Sequence, residues 1–139
     1  MNEKQLALLD QLMTKGFAEE TVTLLDGTLM VTLRTLPTES QLAVESSMKD
    51  VEGTPLFAVH TYSLRLLSYS IMSVTYKGKT YTFKTPADAE SFIRSKPAIL
   101  VDTLIAEHGK IEKAVTELIK GPDTVENFSK TPLADSAPK

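Results

Sequence analysis

The chain has 139 residues, 42% of them hydrophobic and 24% charged, which is typical of a single globular domain. Its formal net charge is -3 with both signs interspersed, so it lacks the basic field that nucleic-acid backbones require, and we expect no nucleic-acid partner. The chain has no cysteine, which excludes disulfides and thiolate-bound metals, and its two histidines are too few for a typical zinc site.

A short amphipathic helix is predicted near the start of the chain, over residues 3–15. Leucine and methionine recur there at helical spacing, and Gly16 follows in the position of a C-terminal cap. The apolar residues of this segment are Leu6, Leu8, Leu9, Leu12 and Met13.

The next stretch, TVTLLDGTLMVTL over residues 21–33, predicts a β-hairpin. Asp26-Gly27 is a favoured pair for a two-residue type I′ turn, which would place Leu24 opposite Leu29. Alternation then gives one face that packs and one that is mostly polar. The packing face consists of Val22, Leu24, Leu29, Val31 and Leu33. Because a two-stranded ribbon is marginally stable alone, we expect it to lie on helices, pair with another strand or be completed by another chain.

Two helix starts follow the hairpin. Thr38-Glu39-Ser40-Gln41 has the pattern of a capping box with Thr38 as N-cap, and it predicts a helix that continues to about Val51. Leu42, Val44 and Met48 are expected to line that helix. Thr54-Pro55 then supplies an N-cap and a first-turn proline for a second helix.

The helix over about 55–70 is predicted to be the central core helix, because apolar residues surround its whole circumference. Together with the residues up to 76 it approaches the length of a membrane span. Arg65 in the middle favours a buried helix followed by a strand, and we expect no membrane partner.

A second hairpin is predicted over residues 73–83, SVTYKGKTYTF. Lys77-Gly78 and Gly78-Lys79 both fit the turn, so the sequence leaves two registers open. The side chains that share one face are Val74, Tyr76, Tyr81 and Phe83.

The last predicted helices are a short one that Thr85-Pro86 opens and Pro97 interrupts, and a long one from Ala98 to Ile119. The long helix carries a seam of residues spaced three and four apart, namely Val101, Leu104, His108, Ile111, Val115 and Leu118. The seam can pack on the chain's own central helix or on another subunit, and the spacing favours the first alternative.

These elements predict an α+β fold: a mainly helical single domain with two β-hairpins and a long C-terminal helix. The globular helix and hairpin domain covers residues 1–120. Residues 121–139, rich in proline and poor in apolar groups, predict an extended tail.

Chemistry-bearing motifs are sparse in the sequence. It shows no close pair of carboxylates at helical spacing, no glycine-rich phosphate loop and no nucleophile elbow. A buried histidine satisfied by one neighbour is the preferred interpretation of His108. We therefore predict no catalytic, cofactor-binding or metal-binding residues, no cofactor and no enzymatic activity.

The candidate functional residues belong instead to interaction surfaces. On the seam of the long helix they are Val101, His108 and Val115, and in the tail they are the apolar residues Val125, Phe128 and Leu133. The edge of the first hairpin is a third surface, which either accepts a partner strand or pairs within its own sheet.

The order of these elements resembles that of small tail and baseplate assembly proteins of tailed bacteriophages, which include tail assembly chaperones and baseplate hub proteins. The resemblance covers roughly residues 20–119 and rests on the phrases LRTLPTESQ and SIMSVTYKGK. It implies a structural hub or adaptor that binds other phage tail or baseplate proteins in several copies per particle. It also implies a location in the virion or, during assembly, in the host cytoplasm.

Two alternatives accompany this interpretation. One is a transient tail assembly chaperone, from which the N-terminal helix and the proline-rich tail depart. The other is a small enzyme whose site is completed by another subunit, with His108 as its base.

Deletion of residues 122–139 tests the role of the predicted tail. We expect the truncated chain to keep its fold, because the tail has too few apolar groups to contribute to a core, and to bind its partner more weakly. Circular dichroism and a partner pull-down measure the two effects. Assembly at the level of the full chain would contradict a binding role for the tail.

Overall fold

The computed structural model describes residues 1–121, and the predicted tail with Val125, Phe128 and Leu133 lies outside the described residues. The described part contains five α-helices and one four-stranded sheet, so the predicted α+β class with two hairpins and a long C-terminal helix is confirmed. The elements are α1 (Glu3–Lys15), β1 (Glu19–Leu24), β2 (Leu29–Arg34), α2 (Thr38–Ser47), α3 (Pro55–Ser70), β3 (Ile71–Tyr76), β4 (Lys79–Thr82), α4 (Pro86–Arg94) and α5 (Ala98–Lys120). Within this part of the chain, no helix combines the length and the apolar character that crossing a bilayer requires.

The sheet has the order β1-β2-β3-β4, and every neighbouring pair is antiparallel. The predicted pairing of Leu24 with Leu29 is confirmed and closes the first hairpin ladder. The connection is longer than the predicted two-residue type I′ turn. Leu25, Asp26 and Gly27 all have positive φ, of 51°, 51° and 89°, and the Thr28 N–H donates to the Leu25 carbonyl at 3.1 Å, so residues 25–28 form a four-residue loop. Since β2 also pairs with β3, the first hairpin is completed within its own chain. Among residues 1–121, no strand pairs with the outer edge of β1.

The second hairpin turns at Lys77-Gly78, with φ of 50° and 81°, and this resolves the register that the sequence left open. Tyr76 lies opposite Lys79, and Val74 lies opposite Tyr81. The glycine occupies the second central position, where the turn demands a large positive φ that residues with a Cβ avoid.

The core lies between one face of the sheet and helices α3, α4 and α5. Val31 and Leu33 of β2 and Leu67 of α3 are its largest fully buried side chains together with Ile93 and Val44. The residues of the main cluster are Leu29, Val31, Leu33, Leu67, Ile71, Val74, Ala89, Ile93, Val101, Leu104 and Ile111. The seam of α5 therefore packs inside its own chain, which is the first of the two alternatives.

Residues 34–36, where β2 leads into α2, form a polar junction that we call the 34–36 clamp. The Arg34 carbonyl lies 3.1 Å from His108 Nε2 of α5, and the Leu36 N–H donates to the carboxylate of Glu112 on the same helix. Between them, Thr35 donates its N–H to the Ala18 carbonyl at 2.8 Å and accepts the Ala18 N–H on its hydroxyl at 3.0 Å. Three consecutive residues thus bind both α5 and the segment before β1.

The predicted capping box at Thr38 is wrong. Pro37 occupies the N-cap position with extended φ and ψ of -62° and 157°, and no side chain caps the helix. The Gln41 side chain turns away and donates to Glu45 at 2.9 Å and to the Tyr62 hydroxyl at 2.8 Å. The helix also ends at Ser47, earlier than predicted, and Leu42 on it is exposed.

The prediction that α3 is the central core helix holds for its second half alone. Leu67, Ser68 and Ser70 are buried there, and the serine hydroxyls donate to backbone carbonyls one turn earlier. The first half is exposed at Leu56 and Val59, since in the described structure no element covers that side of the helix. Helix α1 likewise has no fully buried residue, although its predicted Gly16 cap is present.

The substitution Leu33→Ala tests the position of the core. Leu33 is 0% exposed, so we expect a loss of about 2–5 kcal/mol in unfolding free energy from lost transfer energy and the cavity left behind. Leu25→Ala is the matched control, because Leu25 is 60% exposed and its truncation should change stability by less than about 0.5 kcal/mol. Urea unfolding measures both, and equal effects of the two substitutions would contradict this core.

Candidate protein-binding groove

A groove of about 720 Å³ lies between the first half of α3, the end of α4 and the start of α5. We call it the α3–α5 groove. Its apolar lining includes Leu64 of α3, Ile93 of α4, and Val101 and Ile105 of α5. Because Ile93 and Val101 also belong to the core, the groove is an opening of the core toward solvent.

Large apolar side chains stand exposed in and beside this groove. Phe57 and Val59 line the groove. Leu56 and Ile99 are neighbours of lining residues in the sequence and are exposed, but they do not line it. These four side chains are between 55% and 78% exposed. Single exposed apolar residues are common on protein surfaces, but exposed apolar residues that line an apolar groove, as Phe57 and Val59 do, are typical of a protein-interaction site.

The start of α3 is built so that Phe57 is held at the groove. The Thr54 hydroxyl accepts the Phe57 N–H at 3.1 Å, and Pro55 occupies the first turn. Gly53 has a φ of 126°, and a Cβ added there would lie 3.1 Å from Phe57 Cδ2. Glycine at 53 therefore satisfies the turn and leaves room for the aromatic ring.

The side of the groove opposite α3 is formed by α4 and α5, which Pro97 separates. A backbone turn at Ser95 and Lys96 ends α4, and α5 restarts at Ala98 with Pro97 as its N-cap. The chain changes direction between the two helices instead of continuing as one rod.

The cations at the end of α4 are held by their own helix. Arg94 Nε donates to the Glu90 carboxylate at 2.9 Å, and Lys96 Nζ lies 4.6 Å from the centroid of the Phe92 ring. The lining also includes the polar residues His60 and Asp102, but most of the lining residues are apolar. In residues 1–121, no group of three or more His, Cys, Asp and Glu side chains is placed to hold a metal ion.

The structure places Val101, His108 and Val115, the three predicted docking residues of α5, in the interior. They are 8%, 7% and 5% exposed and pack within the protein, so they present almost no surface to a partner. Val101 alone also borders the groove. The other three predicted partner residues, in the tail, lie outside the described residues.

His108 has the chemistry of a structural histidine. A carbonyl can accept but not donate, so the Nε2 that faces the Arg34 carbonyl carries the hydrogen. Burial lowers the pKa of His108, and the hydrogen bond to Arg34 opposes this effect. One turn later, burial raises the pKa of Glu112, and the Leu36 N–H opposes it. In this tautomer the lone pair lies on Nδ1, and the ring is 7% exposed, so a substrate has little access to it.

Sequence reasoning missed the groove, although one signal pointed to it. The apolar residues of α3 surround the helix, whereas a helix at the border of a core needs an apolar stripe on one side. The additional apolar residues Leu56, Phe57 and Val59 fit either complete burial of the helix in its own core or contact with a partner protein. The structure leaves these residues exposed.

Comparison of the chain with known protein families, with curated protein sequences and with solved structures gives no match.

The pH dependence of stability tests the state of His108. Its folded pKa lies below the ordinary 6.5, so the unfolded chain binds the proton more readily, and unfolding free energy should fall as pH drops through 6.5. His108→Gln keeps a donor for the Arg34 carbonyl and removes the titration, so this pH slope should become shallower. His108→Leu leaves the carbonyl unpaired and should cost about 1–3 kcal/mol.

Urea unfolding between pH 5.5 and 7.5 measures these slopes. Glu112 acts with the opposite sign, because its raised pKa makes the folded state bind the proton more readily and lose stability as pH rises through that pKa. Measuring the series also in Glu112→Gln separates the two groups. An identical slope in the wild type and in His108→Gln would show that His108 does not titrate as described.

Proposed function

We propose that this chain is a non-enzymatic component of a bacteriophage tail or baseplate that acts by binding other proteins, as a structural hub or adaptor. The observation that carries the proposal is the α3–α5 groove, with exposed apolar side chains at the start of α3 and α5. Covering this surface with a partner removes apolar area from water, which favours association by roughly 25 cal/mol per Å².

The expected occupant of the groove is an amphipathic helix of another tail or baseplate protein. Such a helix places apolar residues three and four positions apart into an apolar groove, which is a common mode of peptide recognition. Leu64, Ile93 and Ile105 would form the floor, and Phe57 and Val59 would close over the bound side chains.

The phage context rests on the resemblance of the sequence. Its two phrases, LRTLPTESQ and SIMSVTYKGK, fall at the exit of β2 and along β3, away from the groove. On this proposal the protein works in several copies per particle, in the virion or in the host cytoplasm during assembly.

An enzyme with His108 as base is the weaker candidate, because the His108 ring is 7% exposed and a substrate has little access to it. A transient chaperone uses the same groove as a hub. A hub stays in the finished particle, whereas a chaperone leaves it.

Co-expression with the products of neighbouring genes tests the proposal, with Val59→Asp as the groove variant. We expect the wild type to co-purify with a tail or baseplate protein and Val59→Asp to fail to bind that protein. Burying the new carboxylate in the groove is costly unless a cation or hydrogen-bond donor compensates its charge. Met13→Asp is the matched control, because Met13 is an exposed apolar residue of α1 and should not affect binding.

Each alternative result has a defined meaning. Undiminished binding by Val59→Asp, with an unchanged thermal midpoint, would reject the groove as the docking site. A gene neighbourhood without tail or baseplate products would reject the phage assignment. Mass spectrometry of purified particles separates the hub from the chaperone, because the hub must be present in them.

A further inference from the structure

The two open edges of the sheet carry opposite charge. At the β4 edge, Lys77, Lys79 and Lys84 flank or begin a strand whose four residues are all exposed. At the β1 edge, the charged residues are Glu19, Glu20 and Asp26. Exposed strand edges are templates for pairing with another chain, so this contrast has consequences for association.

The directions of the edge strands fit head-to-tail pairing. All neighbours in the sheet are antiparallel and the strands are four in number, so β1 and β4 run in opposite directions. A second copy placed beside the first in the same orientation therefore brings its β1 antiparallel to the first copy's β4. The helices of both copies then lie on the same side of the continued sheet.

The outward-facing backbone groups of the two edges also match. On β1, the Thr35 N–H bond to Ala18 marks a hydrogen-bonded pair, and alternation from there turns the backbone groups of Thr21 and Thr23 outward. On β4, the Phe83 N–H bond to the Met72 carbonyl fixes the same alternation and turns Thr80 and Thr82 outward.

We propose that this chain assembles with itself head to tail, with β4 of one copy adding to β1 of the next. Thr82 pairs with Thr21, and Thr80 pairs with Thr23. This register extends a row that already crosses the sheet through Thr21, Thr32, Ser73 and Thr82. Hydroxyls within the sheet already pair across strands, with Thr75 Oγ1 2.8 Å from Thr80 Oγ1.

The same register aligns the charges. Counting outward from the threonine pairs, Lys84 falls opposite Glu19. At the other end, the turn that carries Lys77 comes beside the loop that carries Asp26. Glu19 shares the face of Thr21 by alternation, and Lys84 shares the face of Thr82. On the core face, Val22 of one copy falls opposite the exposed Tyr81 of the other, which adds an apolar contact.

Helix α1 leaves this contact accessible. Lys4 of this helix forms an ion pair with Glu20, which lies on the core face, with 3.1 Å between Lys4 Nζ and Glu20 Oε1. The Gln11 side chain accepts the Glu19 N–H at 3.0 Å, so strand pairing between copies begins at Thr21. The Glu19 side chain on the threonine face stays available to Lys84.

Charge also selects this arrangement over symmetric ones. If two β4 edges paired, lysines of one copy would face lysines of the other. If two β1 edges paired, carboxylates would face carboxylates. Like charges therefore disfavour both isologous pairings. A heterologous contact repeats and produces a ring or an open filament. The α3–α5 groove takes no part, so this inference stands or falls separately from the proposed function.

Proline substitutions test the edges one at a time. Thr82→Pro and Thr23→Pro remove outward N–H groups and leave the internal ladder intact, because proline is tolerated where the N–H points to solvent. Sedimentation velocity of the wild-type full chain should show mass growing with concentration. Each variant alone should stay monomeric with an unchanged circular dichroism spectrum, and their equimolar mixture should stop at dimers, because each supplies the edge that the other lacks.

Charge reversal tests the register. Glu19→Lys and Lys84→Glu should each weaken self-association at low salt, and mixing the two chains should restore it, because every contact in an alternating assembly is then attractive. Lys113→Glu is the control, an equal charge change on α5 away from both edges. A wild type that stays monomeric to its solubility limit, a dimer that never grows, or a mixture without recovery would each overturn the proposal.

Discussion

The 34–36 clamp is the constraint on which the placement of every other surface depends. His108 and Glu112 lie one turn apart on α5 and hold the Arg34 carbonyl and the Leu36 N–H, while Thr35 binds Ala18. Leaving a buried polar group unpaired costs about 1–3 kcal/mol, and a shift of α5 along the sheet would break both of the bonds that α5 makes to this segment. Apolar packing alone tolerates sliding more readily than these directional contacts do.

With α5 fixed, its two ends define different parts of the molecule. Its start lies against α3 and α4 and completes the α3–α5 groove, and its last turns lie beside α1. The sheet projects its edges at the sides of this helical layer. The proposed binding of a partner helix and the proposed head-to-tail pairing therefore use separate surfaces, and both can be occupied in one assembly.

The features that the sequence predicted correctly are those that local chemistry decides. Asp26-Gly27 specified the first hairpin, and Thr54-Pro55 and Thr85-Pro86 specified two helix starts whose hydroxyl caps are present. The capping box at Thr38 failed because Pro37 took the N-cap position and Tyr62 attracted Gln41 from another helix. The groove and the clamp depend on contacts between distant segments, for example 74 residues from Arg34 to His108, which periodicity cannot report.

Hydrogen exchange of the chain, free and in its assembled state, tests most directly the claim that the protein acts through these surfaces. We expect added protection at residues 56–64 and 93–106 around the groove and at the edge strands, with the amide of Leu36 equally protected in both states. Added protection confined to the cavity beside His108 and Glu112, with the groove and edges unchanged, would contradict it.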